Sequence, residues 1–208
     1  MQIALFENRK PTLALIVVGA AFCVISFRWD DFIIAWVAAH QDPAVHAVAQ
    51  FFTRWGDFPP IVALLLLLVL GAKLLKRPCR LVLIMVGCAV AGGLAANVLR
   101  FLTGRARPNA RVPAGWYGMM SHGHWIAGQY RFSSFPSAHT AVAMACVFPL
   151  WYFRRWVAAP FATAIACCIA ASRILLNAHH LSDVLTSVWL GSLIATLICS
   201  RFRESTAR

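Results

Sequence analysis

Charged side chains are scarce in this chain of 208 residues, and acidic ones are the scarcest. Charged residues make up 12% of the sequence, Asp and Glu together number seven, and 61% of the residues are hydrophobic. The mean hydropathy is +0.71. A water-soluble domain needs a more polar surface than this composition supplies, so the sequence favours a membrane protein.

The chain also lacks the features that divide a protein into separate parts. It contains no linker rich in Gly and Ser, no charged tail of domain size and no internal repeat. We therefore expect a single integral-membrane domain over residues 1–208. The seven cysteines lie mostly within apolar runs and lack metal-type spacing, so we interpret them as packing residues and not as a disulfide framework or a zinc site.

Long apolar runs dominate what is present. A helix needs about 20 residues to cross a hydrocarbon core of roughly 30 Å. Six runs approach or exceed that length: Pro11 to Phe27, Pro59 to Leu75, Leu81 to Leu102, Pro136 to Phe153, Trp156 to Leu176 and Val184 to Ser200. We predict an all-α fold, a polytopic membrane helical bundle with six transmembrane helices. No small-residue cleavage site follows the first run, so we expect it to remain as an uncleaved anchor.

The segment from Arg28 to Asp57 separates the first two predicted spans. Tryptophans stand among its polar residues, and Asp42-Pro43 is typical of a helix cap followed by a first turn. We predict interfacial helices here. They would cover the outer rim of the bundle or guide a lipid towards a site.

A net charge of +12 suggests a nucleic-acid partner until its distribution is considered. Eleven of the nineteen Lys and Arg residues fall on the side of the two termini, and eight fall on the opposite side. Because cytoplasmic segments are enriched in Lys and Arg, we expect cytoplasmic termini and no nucleic-acid partner. In a bacterium, such a protein would lie in the inner membrane.

Arginines cluster after the third predicted span, in a loop without acidic residues. Arg100 and Arg107 are seven residues apart, which is two helical turns, so both point to one side if the helix continues. Two interpretations are open: the pair binds one anion, or the two side chains extend to lipid headgroups.

A second polar segment, Pro136-Ser137-Ala138-His139, opens the fourth apolar run. The free backbone N–H groups and the positive dipole end of a helix start favour phosphate. Ser137 adds a hydroxyl donor, and His139 titrates near neutral pH. Taken alone, this segment is also typical of an ordinary helix start.

The third segment contains Ser172-Arg173, His179 and Asp183. An arginine at the embedded end of a span is costly and indicates function. His179 and Asp183 are four residues apart, so on a helical turn the carboxylate accepts from one imidazole nitrogen and leaves the other free to attack. His180, three residues before Asp183, satisfies this geometry as well.

Together, the three segments resemble the signature motifs of the type 2 phosphatidic acid phosphatase superfamily, which also includes vanadium haloperoxidases and glucose-6-phosphatase. The resemblance covers a motif-bearing core of about residues 81 to 200. Two positions differ, because the family usually has lysine where this chain has Arg100 and glycine where it has Ala138. Neither change removes a reacting group.

The resemblance implies a role for each motif residue. His179 would form a phosphohistidine and Asp183 would orient it, while His139 would protonate the leaving oxygen and later activate water. The phosphoryl oxygens would be held by Arg100, Arg107, Ser137, Ala138 and Arg173.

By the same resemblance, the chain would be a lipid phosphate phosphatase that uses no metal and no cofactor. Candidate substrates are undecaprenyl diphosphate, lipid A 1-phosphate, phosphatidylglycerophosphate and phosphatidic acid, presented at the periplasmic face. The alternatives are a lipid-to-lipid phosphotransferase that uses the same site, and a non-catalytic lipid-binding or transport protein. The sequence leaves the oligomeric state open.

Overall fold

A computed structural model describes the backbone of residues 9–204 and the side chains of residues 16–202. This part of the chain is mainly helical, which confirms the predicted all-α class. Its helices are α1 (Arg9–Ser26), α2 (Asp30–Ala39), α3 (Pro43–Trp55), α4 (Phe58–Leu74), α5 (Arg80–Thr103), α6 (Ala138–Tyr152), α7 (Ala158–Leu175) and α8 (Leu181–Glu204). Two 3₁₀ helices (Phe27–Trp29, Tyr130–Phe132) and a hairpin of β1 (Met120–Ser121) and β2 (His124–Trp125) complete it.

Each predicted apolar run coincides with a helix, but these helices differ in whether they are long enough to span a membrane. Within the described residues, α5, α7 and α8 are long and apolar enough to cross a membrane. A fourth span results if α3 and α4, which meet at a bend of 57°, are counted as one. α6 has 15 residues, about 22 Å of helix, which is short of a full crossing. Six spans therefore remain a prediction.

The two ends of the chain carry some of the Lys and Arg residues that we assigned to the cytoplasmic side, and these ends lie outside the described residues. The segment between the first two predicted spans does form two helices, α2 and α3. All seven cysteines are free thiols, and four of them are buried, which supports a packing role for those four, whereas Cys167 and Cys168 are exposed.

Local sequence signals set the ends of the helices. Asp42 caps α3 by accepting from Ala44 N at 2.7 Å, and Asp57 caps α4 in a similar way. Gly104 ends α5 with a φ of +56°. A Cβ atom there would lie 1.9 Å from the Gly118 carbonyl oxygen, because the following loop folds back against this turn.

Helix α6 lies at the centre of the bundle. Its buried residues contribute to three hydrophobic clusters, one with α5 and α8, one with α4 and α5, and one with α7. Ala141 and Ala145 are completely buried, so neighbouring backbones approach this face closely. The central position of α6 brings its N-terminus next to the end of α5 and the start of α8.

Candidate active site

The three motif segments meet at one end of the bundle. Arg100 Nε, in the last turn of α5, donates to the Pro136 carbonyl at 3.0 Å. Arg107 lies in the loop that follows α5 in the chain, and its Nη1 donates to the Ala178 carbonyl at 3.2 Å. Tertiary packing therefore joins polar residues that are far apart in the sequence into one cluster.

His179 is buried within this cluster, with 1% of its surface exposed. Its Nδ1 lies 2.6 Å from the Ser134 carbonyl oxygen, and because a carbonyl only accepts, Nδ1 carries the proton. Nε2 is buried and has no hydrogen-bond partner among the described residues. Burial, together with the nearby charge of Arg107, holds the pKa of His179 well below its ordinary value. The imidazole is therefore neutral, with a free lone pair on Nε2.

The Asp183 carboxylate does not hydrogen-bond to His179 as the four-residue spacing predicts. Asp183 Oδ2 is 3.8 Å from His179 Nδ1, whereas it accepts from His180 N at 2.8 Å and lies 3.0 Å from His180 Nδ1. Ser134 Oγ and Arg105 Nη1 donate to the same carboxylate at 2.5 and 2.6 Å. The prediction fails in this detail because α8 begins after His179, so the two residues do not share a helical turn. Asp183 stays within ion-pair distance of the imidazole.

Three arginines of the cluster have no carboxylate partner among residues 16–202. Arg173 Nη1 donates to Thr53 Oγ1 at 3.0 Å, and Arg107 Nη2 donates to the Ser133 carbonyl at 3.1 Å. The buried Nε atoms of Arg107 and Arg173 have no partner in that part of the chain. The charges of Arg107 and Arg173 both repel that of Arg100. Because unpaired buried charge is costly, this arrangement favours an anion with several oxygen acceptors, such as phosphate.

The N-terminus of α6 adds further donors. Ser137 is its fully buried N-cap residue, and no side chain among residues 16–202 accepts from the first N–H groups of the helix. Ser137 Oγ accepts from Thr140 Oγ1 at 3.1 Å, which leaves the Ser137 hydroxyl proton available. These donors and the positive end of the helix dipole suit the same anion.

His139 lies in the first turn of α6, with its Nε2 3.5 Å from Asp57 Oδ1. A cavity of about 330 Å³ opens beside it, between α4, α5 and α6. The polar side chains that line the cavity are those of Asp57, Asn97, Arg100 and His139. The other walls are mostly apolar and include Phe58, Val90, Leu94 and Val142. Such a cavity fits an amphiphile whose polar group is at the arginine cluster.

Several residues of the cluster were not predicted. Arg105 bridges two carboxylates, since its Nη2 is 2.7 Å from Asp30 Oδ2 and its Nη1 contacts Asp183. Asp30, Thr53 and Asp57 come from the segment between the first two predicted spans. The scarcity of acidic residues is a signal that could have singled out Asp30 and Asp57, but spacing along the chain does not identify their partners.

A helical membrane bundle with a cluster of arginines and histidines at one end and an apolar cavity beside it is typical of one class, the integral-membrane lipid phosphatases. Within that class, the chain belongs to the PAP2 superfamily, whose sequence model matches residues 81–207. The resemblance drawn from the three motifs is confirmed.

Two curated relatives share 32% identity with the chain. They are the lipid A 1-phosphatases of Rhizobium etli, over 79% of this chain and 75% of the relative, and of Rhizobium johnstonii, over 79% and 72%. Two solved structures are similar in fold. The first transmembrane PAP2 type phosphatidylglycerolphosphate phosphatase from Bacillus subtilis is 19% identical, with a TM-score of 0.71 over 93% of this chain and 96% of that one. Aquifex aeolicus LpxE is 16% identical, with a TM-score of 0.60 over 82% and 94%.

Proposed function

We propose that this protein hydrolyses a phosphate monoester or diphosphate of a membrane lipid through a phosphohistidine intermediate. The observation that carries the proposal is the buried, unpartnered Nε2 of His179. Nε2 attacks phosphorus, and the N–P bond forms as the P–O bond to the lipid breaks. The proton on Nδ1 stays in its hydrogen bond to Ser134, and the Asp183 carboxylate stabilises the positive charge that develops on the ring.

The phosphoryl group is held by the donors that lack acidic partners. The guanidinium groups of Arg100, Arg107 and Arg173 neutralise the charge that spreads over its oxygens. Ser137 Oγ and the backbone N–H of Ala138 donate from the N-terminus of α6. These fixed charges take the part that a metal ion plays in other phosphatases, so we expect hydrolysis to be independent of added metal.

His139 is proposed as the general acid and base. It gives a proton to the departing lipid oxygen in the first step and takes one from the attacking water in the second. Hydrolysis of the N–P bond then releases inorganic phosphate and restores His179.

We further propose lipid A 1-phosphate as the first substrate to test, supported by the names of the two relatives at 32% identity. The apolar walls of the cavity suit an acyl chain. Undecaprenyl diphosphate, phosphatidylglycerophosphate and phosphatidic acid are the comparison substrates.

The proposed location is a bacterial inner membrane, with six spans, cytoplasmic termini and the site at the periplasmic face. The Lys and Arg distribution supports this orientation. At that boundary the phosphate is in water while the lipid tails remain in the bilayer.

The test is phosphate release by the purified protein in detergent from these four lipids, with and without EDTA. We expect release to be fastest from lipid A 1-phosphate, unchanged by EDTA, and absent in His179→Ala. With substrate labelled in its phosphate group, transfer of the label to a second lipid instead of to inorganic phosphate would identify a phosphotransferase. Failure to cleave any of the four lipids would contradict the proposal, and loss of activity in EDTA that magnesium or zinc restores would contradict the metal-free mechanism.

A further inference from the structure

A carboxylate from a different helix lies next to the proposed general acid. Asp57 Oδ1 is 3.5 Å from His139 Nε2, and among the described residues Asp57 is the acid that pairs with this imidazole. Asp57 immediately precedes α4, whereas His139 is in the first turn of α6. Both residues line the cavity together with Arg100. The pair therefore lies in the same cavity as one of the three arginines that are proposed to hold the lipid phosphate.

Local structure fixes the position of Asp57. As the N-cap of α4, its Oδ1 accepts from Phe58 N at 2.8 Å, and proline follows in the first turn. The same oxygen faces His139. The carboxylate is thus held beside the imidazole by the start of the helix.

The other charges that act on His139 are positive. Burial of the imidazole disfavours its protonated form, and Arg173 in α7, Arg100 in α5 and Arg107 in the following loop repel the proton further. Asp57 in front of α4 is the negative charge that attracts it. The side chain of His139 is 18% exposed and that of Asp57 is 53% exposed, so the attraction is partly screened by solvent.

We propose that Asp57 is a positioning residue that directs His139 at the leaving lipid oxygen and stabilises the imidazolium whenever the ring carries its second proton. This inference rests on the proposed function. As the P–O bond breaks, His139 gives its proton to the departing oxygen, and Asp57 remains ionised. When water attacks the phosphohistidine, His139 receives a proton from that water, again next to the Asp57 carboxylate.

Asp57→Asn tests the role, because asparagine keeps a cap acceptor for α4 and removes the charge. Asp42→Asn is the matched control. Asp42 caps α3 through the same kind of contact, with Oδ1 accepting from Ala44 N at 2.7 Å and Val45 N at 3.1 Å, and it is also followed by proline. Two substrates are compared in single turnovers: lipid A 1-phosphate, whose departing oxygen needs a proton, and p-nitrophenyl phosphate, whose phenolate leaves without one.

Asp57→Asn should slow cleavage of the lipid by about tenfold or more, a part of the 10²–10⁴ that general acid catalysis contributes, and slow cleavage of the aryl phosphate by less than about threefold. Asp57→Glu should restore part of the lipid cleavage, and Asp42→Asn should leave both substrates unaffected. An equal loss on both substrates, or no loss on the lipid, would overturn the role of Asp57 while the wild type remains an active phosphatase. A wild type that cleaves neither substrate would instead overturn the proposed function.

Discussion

At the scale of single residues, the site is defined by which polar atoms have partners. Arg105 forms ion pairs with two carboxylates, so its charge is neutralised within the protein. The buried Nε atoms of Arg107 and Arg173, and Nε2 of His179, have no partners among the described residues. Arginines that are close in sequence therefore differ in role because their contacts differ.

His179→Ala should abolish turnover, with a loss on the order of several powers of ten, because no covalent intermediate can form. His180→Ala should cost far less, since Asp183 keeps its contacts with Arg105 and Ser134. The measurement is lipid phosphate hydrolysis, together with trapping of acid-labile, base-stable phosphate on the protein. An active His179→Ala beside an inactive His180→Ala would shift the nucleophile by one residue.

Arg105→Ala should destabilise the fold by about 3–5 kcal/mol, because it leaves the buried carboxylates of Asp30 and Asp183 without their counter-charge. Arg111→Ala is the control, since Arg111 is exposed in the same loop. Thermal unfolding in detergent measures both variants. Equal stability of the two would show that the bridge through Arg105 contributes little.

At the scale of helices, close packing around α6 places the motif segments at one end. A Cβ atom built on Gly92 of α5 would lie 2.8 Å from Ala145 Cβ and 3.1 Å from the Ala141 carbonyl oxygen in α6. A Cβ atom built on Gly87, five residues earlier in the same helix, meets nothing within 4 Å. Only some of the small residues of α5 are therefore required for helix contact.

Gly92→Ala should lower stability by about 1–3 kcal/mol, because α5 and α6 must separate to admit the methyl group. Gly87→Ala should be neutral or stabilising by up to about 1 kcal/mol, since alanine is the better helix former. Thermal inactivation midpoints in one detergent compare the two variants. A Gly92→Ala protein as stable as Gly87→Ala would contradict the packing argument.

At the scale of the whole molecule, the polar cluster lies at the end of the bundle where α5 and α7 finish and α6 and α8 begin. The loop that carries β1 and β2 is at this end as well, since it follows α5 and precedes α6. The connection between α4 and α5, with Arg77, lies at the opposite end. The orientation of the bundle in the membrane thus decides which compartment the site faces.

Labelling with an impermeant thiol reagent on intact cells tests the orientation. His124→Cys, at an exposed position in β2, should react, because we expect this loop to be periplasmic. Arg77→Cys, also exposed, should react only after the membrane is permeabilised, and the parent protein gives the background of the native cysteines. The reverse pattern would place the site in the cytoplasm.

The sequence by itself determined the helical class, the approximate bounds of the helices and the residue types of the site. Apolar runs of this length have few other folds available, because every backbone polar group in a bilayer must be satisfied within the segment. The motif residues were predictable because phosphate chemistry needs cations, a helix start and a nucleophile with a free lone pair.

Only the tertiary structure decided how those residues are paired. In the folded protein, His179 Nδ1 contacts the Ser134 carbonyl oxygen. The Asp183 carboxylate contacts His180 and Arg105, and Asp57 contacts His139. Such pairings join residues from different helices, and they depend on where each helix begins and how closely its neighbours approach. Spacing along the chain predicts contacts within a helix, whereas the contacts between helix ends follow from the packing of the whole bundle.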